Sequence, residues 1–186
     1  MTSRVFLVAS VVALAGCAPW RVIQESGPPS ALRGANHINV WFDYSMASLG
    51  GRPEQAWLAT QPPDDQQAYS EVKQNLEDAF LQALASNVAV PVQHIQQPGA
   101  APGGVLCIVR VQKIEQGKYA FVFAMDSELD AHLEWAPGGQ PVSDVIGITT
   151  TVNADITRPS IIQRMRIAAT RLGELAARFF RKKQQD

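Results

Sequence analysis

The sequence predicts an α+β protein: a two-layer sandwich, with a mostly antiparallel sheet of about five strands covered on one face by two helices. Three observations predict it. Residues 64–86 and 161–183 carry apolar side chains at spacings of three and four, which gives each helix one buried stripe. Residues 105–156 hold three alternating runs separated by glycine-bearing turns, the pattern of an antiparallel meander. The order strand, helix, strand, meander, helix then lets both helices lie on one sheet face.

The chain has 186 residues, enough for a short leader and one domain with a real core. A formal net charge of -1 and a pI near 6.3 give no sign of a nucleic-acid binder. The divisions expected are a signal segment over 1–16, a flexible tether over 17–35 and a single α+β domain over 36–186.

The leader begins with Arg4 and continues with an apolar run over 5–14. That run falls short of the roughly 20 residues that span a bilayer and reads as a cleaved signal. It closes on Leu14-Ala15-Gly16-Cys17. All four positions match the lipobox, so the segment resembles that of bacterial lipoproteins. The resemblance implies a diacylglyceryl thioether on Cys17, cleavage just before it and acylation of the new terminus. Multiple acyl chains make membrane attachment stable. Ala18, where the family uses Asp for inner-membrane retention, implies the periplasmic face of the outer membrane in a Gram-negative host. Gly27-Pro28-Pro29-Ser30 and Gly34 make the tether rich in turn formers.

Residues 37–44 (HINVWFDY) alternate, with Ile38, Val40, Phe42 and Tyr44 on one face, and read as a strand. Residues 45–63 read as a long loop broken by Gly50-Gly51, Pro53 and Pro62-Pro63. Trp57 and Leu58 in it are candidates for a partner contact or for a cover over the core. The helix over 64–86 has Asp64 or Asp65 available as its cap. Its stripe is Ala68, Val72, Leu76, Ala79, Phe80, Ala83 and Leu84. Residues 88–95 form a weaker strand, and Pro91 places it at an edge.

After a loop over 96–104, residues 105–115 read as a central strand with apolar residues on both faces. Cys107 lies in it as a buried small hydrophobe. Gln116-Gly117 reads as a hairpin turn. A long strand over 119–135 follows, with a break near 124–126. Its second half sets Leu129, Ala131, Leu133 and Trp135 on one face. Asp126, Glu128, Asp130, His132 and Glu134 line the other. Residues 142–156 form the last strand. Ser160 with Gln163 makes a capping box for the closing helix. Arg181, Lys182 and Lys183 end that helix, where cations offset its dipole or touch anionic lipid.

Motifs for chemistry are sparse. His37, His94 and His132 are scattered, without zinc-ligand spacing. No serine sits in a Gly-x-Ser-x-Gly elbow, and no glycine pattern cradles a phosphate. Asp126, Glu128 and Asp130 sit about 7 Å apart along one strand face. A flat row cannot wrap an ion, so a solvated face or a contact with a basic partner is expected rather than a metal. No enzyme, no catalytic residue and no cofactor is expected.

The element order over 36–183, above all the strand, Gly-Gly turn, strand and Ala/Arg-rich helix over 129–181, resembles the small α/β lipoproteins of the Gram-negative envelope. These are the LptE-type lipopolysaccharide-assembly lipoprotein, the periplasmic domain of CsgG and the YajG-type lipoproteins. The resemblance implies a non-enzymatic accessory subunit or assembly factor of an envelope complex. Its partners would be the membrane, through the N-terminal lipid, and an envelope protein. A lipid or glycan carrier and a cell-wall hydrolase are the alternatives.

Overall fold

The computed structural model describes residues 19–98, 104–120, 123–158 and 160–186. The expected signal segment 1–16 and the lipobox residues Leu14, Ala15, Gly16 and Cys17 lie outside the described residues. In chain order the elements are β1 (Arg21–Gln24), β2 (Ile38–Asp43), β3 (Ser48–Leu49), β4 (Arg52–Pro53), α1 (Glu54–Leu58), α2 (Pro63–Asn87), β5 (Val92–His94), β6 (Val105–Glu115), β7 (Lys118–Ala120), β8 (Phe123–Met125), β9 (Ser127–Pro137), β10 (Asp144–Val152) and α3 (Ile161–Gln185).

The expected meander is present: β6 pairs antiparallel with β9, and β9 with β10. β2 is parallel to both β6 and β5, with α2 as the crossover between β2 and β5. The main sheet runs β1-β10-β9-β6-β2-β5, with β3 beside β6 and β4 beside β3. The fold is α+β, an open and mostly antiparallel sheet packed against helices. It has eight strands rather than about five, because β1, β3 and β4 add short strands to it.

The tether is the largest correction. From Arg21 onward it is docked, not flexible. β1 pairs antiparallel with β10, Arg21 opposite Gly147 and Val22 opposite Ile146. The backbone amide of Ser26 donates to Asp144 at 2.9 Å, and Leu32 is fully buried. The cause is the outer edge of β10. An unpaired ladder attracts any extended segment that can satisfy its backbone groups, even one with a poor strand pattern.

The strand over 119–135 divides where the break near 124–126 is expected. It breaks at Asp126, and β7 and β8 form a separate two-stranded ribbon. Gly117 makes the turn into it with φ +65°, and a Cβ there would lie 2.3 Å from the Met125 carbonyl oxygen. No residue with a side chain fits so close an approach.

Helix α2 starts differently from expectation. Its N-cap is Pro62, with no side-chain cap, and Asp64 and Asp65 sit inside the first turn. There they face the positive end of the helix dipole, and Pro63 contributes a preset φ. Helix α3 starts with the Ser160 half of the expected capping box, Ser160 Oγ accepting from the Gln163 amide at 3.4 Å.

Trp135 anchors the core, fully buried and stacked on Phe180 with ring centroids 5.6 Å apart. The two helices meet at Gly173, where a Cβ would stand 2.5 Å from the Phe80 carbonyl oxygen and 2.9 Å from Ala83 Cβ. Gly173→Val must push α3 off α2. We expect it to destabilise the fold by about 1–3 kcal/mol, read as a lower urea midpoint. An unchanged midpoint would mean that the helices do not depend on this approach.

Candidate functional site

Three features bear on function: a cleft at one end of the sheet, a polar cluster behind it, and the sheet face that the helices leave open.

The cleft has a volume of about 690 Å³. Its walls are the first half of α2 (Ala68, Tyr69, Val72), the end of β6 (Ile114) and the start of α3 (Ile161, Ile162). Trp57 and Leu49 close one side, Met125 and Lys118 of the β7–β8 ribbon the other. The polar lining groups include Gln61, Asp65, Glu115 and Ser160. Trp57 and Leu58, candidates for a partner contact or for a cover over the core, are half-buried against the core, and the Trp57 ring lies 5.4 Å from that of Tyr69. The loop that carries them folds back because burying two large apolar side chains outweighs ordering a short helix.

Arg164 holds the end of the cleft together. It is fully buried near the start of α3. Its Nε donates to Ser127 Oγ at 2.8 Å, Nη1 to the Arg158 carbonyl at 2.8 Å and Nη2 to the Gln116 carbonyl at 3.2 Å. One guanidinium thus joins the β6–β7 turn, the start of β9 and the entry to α3.

Behind the cleft, Lys73 bonds Glu54 at 2.9 Å and stands 3.7 Å from the centre of the Tyr44 ring. Glu77, one turn further along α2, lies 3.9 Å from His94. Burial raises the Glu77 carboxyl above its usual range, with the His94 and Lys73 charges opposing. Tyr69, Lys73 and Glu77 share one stripe of α2 at steps of four, so the helix period alone assembles this cluster. It pins α1 and the tail of β2 onto α2.

The open face carries the expected acidic row, but not as bare charge. Arg110 on β6 bonds Glu134 twice, at 2.7 and 3.0 Å, and also pairs with Asp43 of β2. Burial opposes ionisation of Asp43, but hydrogen bonds from Ser45 and the Arg110 charge hold it below the usual carboxylate range. Lys113 pairs with Glu128 at 3.2 Å, and Thr149 donates to Asp130 at 3.2 Å. Asp126, exposed at the break before β9, accepts from the Ala154 amide at 3.2 Å and lies in the field of Arg158 and Arg164. Beside this grid lie Trp41 and Leu106, half-buried, and Ile108, 9% exposed. Among the described residues, no group of three or more His, Cys, Asp and Glu side chains has metal-holding geometry.

Two buried cations escaped the sequence reading. Lys183, expected as a helix-end charge or lipid contact, is 1% exposed. Its Nζ lies 3.3 Å from both Asp144 and Glu25 and donates to the Ser26 carbonyl at 2.7 Å. Arg164 is the other. A signal was present, for both fall on the apolar stripe of α3: Arg164 four before Ala168, Lys183 four after Phe179. Cys107 is free, fully buried, and its thiol is pushed up by burial.

No family model matches this chain, and no curated protein does. Solved structures do. The PelC dodecamer from Paraburkholderia phytofirmans is 13% identical, with a TM-score of 0.45 over 83% of this chain and 96% of that one. A putative neuraminyllactose-binding hemagglutinin homolog from Helicobacter pylori is 9% identical, with a TM-score of 0.42 over 82% of this chain and 87% of that one. No residue role is carried over from either. Among the described residues, no helix is long and apolar enough to cross a membrane.

Proposed function

We propose that this chain is a non-enzymatic outer-membrane lipoprotein, tethered through Cys17, that serves as an accessory subunit or assembly factor of an envelope complex. The observation that carries the reading is the open sheet face. Trp41, Leu106 and Ile108 form an apolar centre there, bordered by the Asp43–Arg110–Glu134 and Lys113–Glu128 pairs. An apolar centre with a polar rim is the usual make-up of a protein interface. Side chains already held in ion pairs lose little further freedom on binding, which lowers the cost of association.

The cleft favours a second reading, a lipid carrier. Its 690 Å³ and mostly apolar walls suit an acyl chain.

One experiment separates the two. Full-length tagged protein is extracted from native membranes in detergent, with Cys17→Ala and Trp41→Ser as controls. The subunit reading expects a stoichiometric partner, lost with Cys17→Ala and reduced at least about tenfold by Trp41→Ser, a loss of roughly 1.4 kcal/mol or more. Circular dichroism checks that Trp41→Ser remains folded. A lipidated protein that comes out alone, with co-extracted lipid in the organic phase, overturns it in favour of the carrier.

A further inference from the structure

The anchor and the fold together fix how the domain meets the membrane. Cys17 is three residues from Trp20. An extended chain advances about 3.3–3.6 Å per residue, so the acylated residue lies within about 11 Å of Trp20. Trp20 is not free to swing. Its ring meets Phe179 of α3 edge-on, with centroids 5.8 Å apart, and β1 starts at the next residue. Beyond β1, Glu25 and Ser26 are held by Lys183 and Asp144. The flank formed by β1 and the end of α3 therefore sits next to whatever lipid holds the acyl chains.

That flank is built for such a neighbour. Val22 and Ile23 are 45% and 47% exposed, Val22 on the face of β1 that lies with Ile146 and Ile23 on the face that lies with Gly147 and His132. Arg21 on β1 and Arg178 and Lys182 near the end of α3 are exposed as well, while Arg181 donates to the Asn87 carbonyl at the end of α2. Of the nearby acids, Glu25 is engaged by Lys183 and Lys182, Asp186 lies beside the same lysines, and Glu174 lies a turn further back on α3. The opposite edge of the sheet is β5, and α2 packs on that side. The exposed acids of α2 (Asp64, Asp65, Glu71 and Asp78) are thus carried away from the anchor. The flank nearest the anchor thus presents exposed apolar side chains with Arg21 and Arg178, and the exposed acids of α2 lie on the far side.

We infer that the domain lies directly on an anionic phospholipid surface through the β1–α3 flank, rather than standing off on a tether. Val22 and Ile23 enter the headgroup layer, and Arg21, Arg178 and Lys182 meet phosphate oxygens. The inference rests on lipidation at Cys17. It brings the β1 edge of the open face, where Arg21 and Ile23 lie beside Gly147 and His132, to the membrane, and leaves the Trp41–Ile108 centre on β2 and β6 clear of it.

The test uses the full-length chain, processed in its host and reconstituted into vesicles of phosphatidylethanolamine and phosphatidylglycerol. A fluorophore is placed through Ile23→Cys on the flank or Glu71→Cys on the far side. Cys107 is fully buried and escapes labelling. Headgroup nitroxide lipids quench the probe, and the mass of the N-terminal peptide reports acylation separately. We expect several-fold stronger quenching at position 23 than at position 71. Adding Arg178→Glu and Lys182→Glu should bring position 23 down to the level of position 71, with acylation and melting temperature unchanged. Equal quenching at both positions in an acylated chain overturns the flank inference while lipidation stands. A peptide mass without acyl chains overturns the lipoprotein reading itself, and the flank inference with it.

Discussion

Lys183→Met is expected to lower the unfolding free energy by about 3–5 kcal/mol, because it strands Asp144 as a fully buried carboxylate without its cation. Asp144→Asn, which removes the charge and keeps the shape, should cost less. The double variant Lys183→Met/Asp144→Leu should recover most of the loss, since a buried pair exchanged for apolar residues is often neutral. The pH dependence has a definite sign. Burial opposes ionisation of Asp144, but hydrogen bonds from Ser143 and Ser26 and the Lys183 charge hold its carboxyl below the ordinary value. A group with a depressed folded pKa stabilises fully above its unfolded pKa, near 4, and the contribution is lost as pH falls through the folded value. The wild type should therefore lose stability below about pH 4 more steeply than Asp144→Asn. Urea titrations from pH 7 to pH 3 measure both effects. A loss under about 1 kcal/mol for Lys183→Met would place the pair in solvent rather than in the core. The same substitution should loosen β1, since Lys183 holds Glu25 and Ser26, and speed proteolysis near the N-terminus.

Arg164→Met should cost about 2–4 kcal/mol. The Arg158 carbonyl loses a donor, and the guanidinium no longer ties the β6–β7 turn to β9 and α3. Gln116 O keeps Ser127 Oγ as a donor at 2.6 Å, which limits the loss. The damage should be local to the cleft. Hydrogen exchange is expected to quicken in β7, β8 and the first turn of α3 while the Trp135–Phe180 region stays protected. Uniform loss of protection across the sheet would show that Arg164 supports the whole core rather than this end of it.

The two candidate surfaces were visible to different degrees. The residues of the open face were legible, because strand alternation puts Glu128, Asp130, His132 and Glu134 on one side by geometry alone, whereas Asp126 falls at the break before β9. Their neutralisation was not, because Arg110 and Lys113 reach them only through the register of β6 on β9. The cleft was not legible at all. It gathers residues from four distant segments, and no local pattern marks the gap between them.

The sequence by itself determined what repeats locally: the stripes of α2 and α3, the Ser160 cap, the alternation of β6, β9 and β10, and the burial of Cys107 and Trp135. Each rests on a period of 3.6 or 2 or on a contact three residues away. Only the tertiary structure decided what depends on a partner distant in the chain. Arg21–Gln24 is a strand because β10 offers it an edge. Trp57 is a cleft wall because Tyr69 lies beneath it. Lys183 is buried because Asp144, 39 positions earlier, waits at the start of β10. A side chain's rotamers and charge are properties of its own residue, but its desolvation and pairing are set by neighbours that only folding supplies.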